Sequence, residues 1–272
     1  MGDLLNISCI IPTRNRCNMV LEAIESIKRQ HYSDLEIIVV DDGSTDNTRA
    51  EIKSMFPEIH QVKLDGVGPG LARNAGVTAS SGDILMFLDS DDIWLENHAR
   101  RLIDTINRGF QVAYGTTKTI DEIGEKDFLI PDKGKEVEGD CFEPLLRWCF
   151  LVPSSVALNR KTFMSVGGFD NLACGEDWTF FLKLSARFPF GYAGSRPITS
   201  RRLHRGSLCF LSDKKKLLAI INQVYTFLEN EPRATAAHRN HFTMLHEWTA
   251  ANMDQWATVQ DWYLGMLRDK II

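Results

Sequence analysis

The chain has 272 residues, 44% hydrophobic and 25% charged, an ordinary globular composition that is long enough for a large core and for one or two domains. Its net charge of −5 leaves no overall basic field, so no nucleic-acid partner is expected. No apolar run reaches the roughly 18 residues that span a bilayer, and the opening MGDLLNISCIIP lacks the basic n-region of a signal peptide. The six cysteines Cys9, Cys17, Cys141, Cys149, Cys174 and Cys209 form no CxxC pair. They predict reduced thiols in a reducing, cytoplasmic compartment.

The first half alternates between apolar runs and helical spacing. Residues 7–12 (ISCIIP) read as a buried strand, and 18–30 as a helix with Met19, Val20, Ala23, Ile24 and Ile27 on one face. A second strand at 36–40 (EIIVV) ends in DDGS, and Thr45 or Asp46 is placed to cap a helix through about Met55. A third strand spans 59–64, a loop DGVGPG follows, and a short helix covers 71–79. Next come a strand at 84–88, a helix over 95–107 and a strand at 112–114. Apolar strands alternating with helices predict an α/β fold with a mostly parallel, Rossmann-like sheet flanked by helices. Ligands of such sheets sit beyond the carboxyl ends of the strands. TRN (13–15), DDGSTD (41–46), DGVGPG (65–70) and DSDD (89–92) therefore belong on one edge.

After about Thr117 the alternation fades. Residues 121–140 read as a polar loop or hairpin excursion, followed by strands at 156–158 and 198–203 and helices at 160–166 and 178–186. From 213 onward the pattern is helical, at 214–229, 234–252 and 256–268. The expected organisation is an α/β domain over 1–212 with a helical extension over 213–272 packed on it. Lys214, Lys215 and Lys216, with Trp248, Trp256 and Trp262, leave a second reading of that extension, peripheral contact with a membrane surface.

MFLDSDD (86–92) runs a strand straight into three carboxylates. Residues i and i+2 of a strand point the same way. Asp89 and Asp91 thus offer paired oxygens to a hard cation such as Mg²⁺ or Mn²⁺. A calcium loop or plain helix caps compete with that reading, and Asp92 fits as the cap of the helix at 95–107. In VVDDGSTDNT (39–48), Gly43 permits a sharp turn, and either Asp41 or Asp42 can accept an N–H from a planar base. The first turn, PTRNR, holds no glycine, which argues against a GxGxxG dinucleotide site. GPGLARNAG (68–76) sets Arg73 on a helix behind a glycine-rich loop, which suits a diphosphate. An exposed surface arginine is the competing reading. There is no GxxxxGK[ST], so this is not a P-loop. In GGFDNLACGEDW (167–178), Glu176 and Asp177 open a helix. They either complement its dipole or supply a general base for an acceptor hydroxyl. Cys174, three residues before Asp177, lines that site or fills the core.

In order and spacing, SCIIPTRNR, VVDDGSTDNT, GLARNAG…SSGDILMFLDSDD and GGFD…GEDW resemble the family 2 glycosyltransferases, over about residues 6–210. The resemblance implies a GT-A fold, a nucleotide-diphospho sugar donor (UDP-linked by preference) and a divalent Mn²⁺ or Mg²⁺. It also implies an inverting single displacement onto a hydroxyl of a saccharide or lipid-linked saccharide. By the same resemblance, Pro12, Thr13 and Arg14 wall the nucleotide pocket, Asp42 holds the uracil, Asp41 supports the turn, and Arg73 reaches base or diphosphate. Asp89, Ser90 and Asp91 are similar to the DXD stretch, with Asp91 on the metal and Asp89 at ribose or metal-bound water. Asp177 resembles the catalytic base, with Glu176 contacting the acceptor or supporting the base. SRRLHRGSLCF (200–210) is similar to the late segment that closes over the diphosphate. It makes His204 a third metal ligand or a phosphate donor, and Arg201, Arg202 and Arg205 neutralisers of the leaving group. There is no QxxRW-like stretch, which fits transfer of a single sugar in polysaccharide biosynthesis, on the cytoplasmic side of a membrane. Two rivals remain. One is a nucleotidyltransferase of the same fold, for which PTRNR lacks the glycine-rich first loop. The other is a non-catalytic nucleotide-sugar-binding module, which the intact Asp89, Asp91 and Asp177 speak against.

Overall fold

Seven strands form the central sheet, and the first half of the chain builds the part that carries the site. In the computed structural model, which describes residues 6–30, 32–121, 127–172, 174–204, 207, 215–256 and 259–269, β1 (Ile7–Thr13) leads into α1 (Cys17–Lys28) and β2 (Leu35–Asp42). Then follow α2 (Thr48–Met55), β3 (His60–Leu64), α3 (Pro69–Thr78) and β4 (Ile84–Phe87). The middle of the chain gives β5 (Ile93–Trp94), α4 (His98–Asn107), β6 (Val112–Tyr114), β7 (Thr117–Asp121), β8 (Phe128–Ile130) and α5 (Phe142–Arg147). It continues with β9 (Val156–Asn159), α6 (Arg160–Ser165), α7 (Glu176–Ser185), β10 (Phe190–Tyr192) and β11 (Thr199–Leu203). The last helices are α8 (Lys215–Asn230), α9 (Ala236–Asn252) and α10 (Val259–Arg268).

The central sheet runs β10-β6-β9-β4-β1-β2-β3, parallel except at β9, which is antiparallel to both β4 and β6. β1 is buried along its whole length, because helices cover both faces of the sheet, as parallel strands require. Alternate residues feed two cores. Ile10, Leu85 and Phe87 face one, packed with side chains from α3 and α5 to α10. Cys9, Ile11, Ile84 and Met86 face the other, with α1, α2 and α4. Leu217 of α8, Phe242 of α9 and Trp262 of α10 sit in the same core as the sheet. Among the described residues, no helix is long and apolar enough to cross a membrane.

A second sheet, β5-β11-β7-β8, stands beside the first. β7 and β8 pair antiparallel, the hairpin that the 121–140 excursion allowed, although residues 122–126 lie outside the described ones. β5, β7, β10 and α5 were not expected. The helix expected over 95–107 starts at His98, because Asn97 takes a left-handed φ of 63° and ends any earlier helix. Asp92 is consequently too far upstream to cap it.

α3 lies close on β1 because Gly76 has no side chain. A Cβ there would come within 2.3 Å of Ile10 Cγ2 and 3.0 Å of Val40 Cγ2. Gly76→Ala is therefore expected to destabilise the fold by about 1–3 kcal/mol through overpacking, measured as a lower urea midpoint. An unchanged midpoint would contradict this packing.

Candidate active site

The loops after β1, β2, β3 and β4 surround a cavity of about 830 Å³, whose walls include Pro12, Thr13, Arg14, Asp42, Arg73 and Ser90. Two turns are locked together first. Asn15 adopts φ 53°, its Oδ1 accepts the Thr45 N–H at 2.7 Å, and its own N–H donates to Ser44 Oγ at 2.9 Å. Asp41 is buried inside the second turn, where Oδ1 accepts the Ser44 N–H at 2.8 Å. It shapes that turn and is not among the residues lining the cavity. Asp42 does line it. Its two oxygens accept three backbone N–H groups, from Gly66 (3.0 Å), Val67 (2.7 Å) and Gly68 (2.8 Å). A carboxylate offers about four acceptor positions, so about one is left for a ligand.

Beneath the cavity, Arg73 is 3% exposed and joins two acids. Its Nη2 donates to Asp89 Oδ1 at 2.5 Å and its Nη1 to Glu176 Oε1 at 2.9 Å. Burial opposes the charge, but Asp89 and Glu176 outweigh it and raise the guanidinium's pKa further. The contact is possible because Gly70, one turn earlier on α3, lets Glu176 approach. A Cβ there would lie 3.0 Å from Glu176 Cγ and 2.9 Å from the Asp170 carbonyl. The exposed-arginine reading is thus corrected.

Asp91 Oδ2 meets Arg16 Nη1 at 2.6 Å and His204 Nε2 at 3.1 Å. Arg202 Nε donates to the Asp91 carbonyl at 2.7 Å, and its Nη1 to Glu22 at 2.8 Å. Asp92 is no helix cap. It is 2% exposed, and its carboxylate accepts from Ser154 Oγ at 2.6 Å and the Arg202 N–H at 3.3 Å. Burial, then the charges of Asp91 and Asp89, hold its pKa well above the usual carboxylate range. Asp89, Asp91 and His204 all line the cavity. They do not converge as three ligands, since Arg73 holds Asp89 while Arg16 and His204 hold Asp91. Among the described residues, no group of three or more His, Cys, Asp or Glu side chains is set to hold a metal ion. The donor chemistry still suits a cation, because two cationic or polar groups already converge on the single oxygen Asp91 Oδ2.

Asp177 lies in the first turn of α7 and lines a second cavity of about 190 Å³ rather than the first. Arg73, Asp89 and Arg201 belong to both cavities and form the partition between them. Burial, then the neighbouring Glu176 charge, pushes the Asp177 carboxyl up to about 6, against the pull of Arg73 and the Trp178 N–H, which donates to Oδ1 at 2.8 Å. Cys174 lines this cavity too, together with Cys149. Among the described residues, Cys9, Cys17 and Cys141 are free thiols. Arg205, Cys209 and Lys214 lie outside the described residues.

Sequence reasoning missed Arg16, Asn15 and Ser154. Arg14 and Arg16 are equivalent by residue type in TRNR, and only the left-handed Asn15 decides that Arg16 reaches Asp91. Ser154 Oγ accepts the Asp89 N–H at 3.0 Å and donates to Asp92. It sits 62 positions from Asp92, too far for any local signal.

Two cavities meet at an acid cluster on the carboxyl edge of this sheet, and the fold, by its likeness to solved structures, is of the GT-A class. The chain resembles S. aureus TarS 1-349 in complex with UDP-GlcNAc, with TM-score 0.70 at 17% identity over 97% of this chain and 80% of that one. It also resembles the mannosyltransferase PcManGT from Pyrobaculum calidifontis in complex with GDP-Man and Mn²⁺, with TM-score 0.64 at 15% identity over 93% and 74%. Residues 8–149, just over half the chain, match Glycosyl transferase family 2, and the chain belongs to that family. One relative is the GalNAc(5)-diNAcBac-PP-undecaprenol beta-1,3-glucosyltransferase of Campylobacter jejuni. It is 32% identical over 183 residues, which is 65% of this chain and 59% of that one. Against four curated relatives named as glycosyltransferases, the chain spans only 32%, 54%, 37% and 36% of their length.

Removing Arg73 leaves Asp89 and Glu176 without their cation. Breaking a buried pair costs about 3–5 kcal/mol, so Arg73→Ala is expected to lower Tm by roughly 10 °C at about 2–4 °C per kcal/mol. A Tm within 2 °C of the natural chain's, on the same scale, would contradict the ion triad.

Proposed function

We propose that the chain is an inverting glycosyltransferase that moves one sugar from a UDP-linked donor to a hydroxyl of a saccharide or lipid-linked saccharide. The observation that carries this is the pair of cavities divided by Arg73, Asp89 and Arg201, with a carboxylate of raised pKa on the far side of the partition. The family membership, the UDP-GlcNAc named for TarS and the undecaprenol-linked substrate named for the C. jejuni relative support the donor and acceptor classes.

The larger cavity takes the nucleotide diphosphate. Asp42 offers its remaining acceptor position to an N–H of the base, and Pro12, Thr13 and Arg14 line the wall. Arg16, Arg201 and Arg202 supply positive charge for the diphosphate. Asp91 and His204, with Asp89 nearby, would hold Mn²⁺ or Mg²⁺ once Arg16 turns from Asp91 to the phosphates. Such an ion neutralises charge on the leaving group.

Asp177 removes the proton from the acceptor hydroxyl. As that oxygen bonds to the anomeric carbon from the face opposite the diphosphate, the bond to the diphosphate oxygen breaks. UDP leaves with the electron pair, and the configuration inverts. Glu176, held by Arg73, keeps the base's neighbourhood anionic and thereby raises its proton affinity.

Asp177→Asn is expected to cut transfer about 10²–10⁴-fold, the usual share of a general base. UDP binding, read by thermal shift, should persist. Turnover of the variant near the natural rate, or release of pyrophosphate rather than UDP, would contradict the proposal.

Asp177 must be ionised to act, so kcat/KM should fall about tenfold per pH unit below pH ~6. The sign for stability is opposite. A folded pKa above the unfolded one contributes stability at low pH that is lost as pH rises through 6. An acid limb that persists unchanged in an assay of Glu176→Gln would contradict the assigned cause, since removing that charge should move the limb to lower pH.

A further inference from the structure

The second cavity holds more than a base. Trp148, Trp178 and Trp262 line it together, with ring centroids 6.5 Å apart for Trp148–Trp178, 6.2 Å for Trp148–Trp262 and 6.5 Å for Trp178–Trp262. They come from three separate places: the end of α5, the start of α7 and the middle of α10. Two of the indoles have their N–H groups satisfied within the protein, Trp178 by the Leu145 carbonyl at 2.7 Å and Trp262 by Thr249 Oγ1 at 3.0 Å. These two are 3% and 1% exposed, so they form the floor. Trp148 is half-buried and lines the same cavity.

Asp177 and the partition of Arg73, Asp89 and Arg201 line the same cavity. Aromatic walls with a few charged groups among them are the lining expected of a small-molecule site. It matches one chemistry well. A pyranose ring has apolar C–H faces and a rim of hydroxyls, so its face suits an indole while its rim suits carboxylates and guanidiniums. At about 190 Å³, the space falls below the ~300 Å³ lower end of drug-sized pockets and fits a single ring.

We infer that this cavity is the subsite for the reacting sugar ring of the acceptor, with Trp148 as its stacking platform and Trp262 of α10 as its floor. The inference rests on the glycosyl-transfer reading and deepens it. The C-terminal helices, outside the part that matches the family, then help to select the acceptor. Ile220 of α8 lines the same cavity and ties a second C-terminal helix to it. Trp148 acts on binding, not on the proton.

Two thiols provide a native readout. Cys149 and Cys174 line this cavity, whereas Cys17 lines the larger one. The full chain is alkylated with iodoacetamide, and the rate at each cysteine is followed by peptide mass spectrometry. The probes are octyl glycosides of N-acetylglucosamine, N-acetylgalactosamine and glucose, with octanol as the sugarless control. At least one glycoside should slow alkylation of Cys149 and Cys174 without slowing that of Cys17, and octanol should not. Unchanged rates with every glycoside, or equal protection by octanol, would overturn the subsite.

In transfer assays, Trp148→Ala should raise the acceptor KM about tenfold, the scale of one lost aromatic contact, with kcat changed far less. Trp148→Phe should recover most of that loss. An unchanged KM for Trp148→Ala would also overturn the subsite. Release of UDP from the donor by the natural chain separates the two levels. UDP release without glycoside protection sinks the subsite alone, whereas glycoside protection without any UDP release leaves a sugar-binding cavity but sinks the transfer reading and the acceptor role with it.

Discussion

The Arg73 ion triad is the interaction on which the rest of the site depends. One buried guanidinium joins Asp89, which follows β4, to Glu176, which opens α7. Those two acids are 87 positions apart in sequence; Asp89 borders both cavities and Glu176 the second. Without the arginine, two carboxylates would stand unpaired in a partly desolvated partition, at a cost larger than most single contacts contribute. With it, the edges of the two cavities are fixed relative to one another. Gly70 and Gly76 serve the same end, bringing α3 close to Glu176 on one side and close to β1 on the other.

The charge pattern around the triad explains how so many acids tolerate one another. Asp89 is paired by Arg73 and Asp91 by Arg16 and His204, while Asp92 stays apart, buried against Ser154 with a raised pKa. Asp177 lines the second cavity with its pKa moved up to about 6. The acids that differ by a residue or two in sequence thus differ in role because their partners differ. A diphosphate arriving in the larger cavity would compete for the same arginines that now hold the acids, so ligand binding and local electrostatics are coupled by construction.

Much of this was legible in the residues, and the rest was hidden for physical reasons. The apolar runs of β1, β2 and β4 are buried on both faces and therefore read as strands without ambiguity, which also placed TRN, DDGSTD and DSDD on one edge. Periodicity did not show β5, with two residues, or β7 (TKTID), whose polar residues pair with a strand some 80 positions away. Asp177 stood out as a candidate base from its place at a helix start beside Trp178. Its neighbour Trp148 did not, because nothing in RWCF marks an indole that will meet another from α10. Asp92 was assigned as a cap on proximity alone. The left-handed Asn97 moves the helix start downstream and leaves Asp92 inside, where Ser154 satisfies it.

The central claim is that Arg73 is a shared partner of both acids, which makes the two cavities one site. A double-mutant cycle of Asp89→Asn and Glu176→Gln, measured by urea unfolding, tests it most directly. Each single change leaves Arg73 one carboxylate, whereas both together leave a buried guanidinium with neither. The account predicts that the double variant loses at least about 1 kcal/mol more than the sum of the singles, well outside the ~0.3–0.5 kcal/mol expected of independent sites. Additivity within that margin would contradict it.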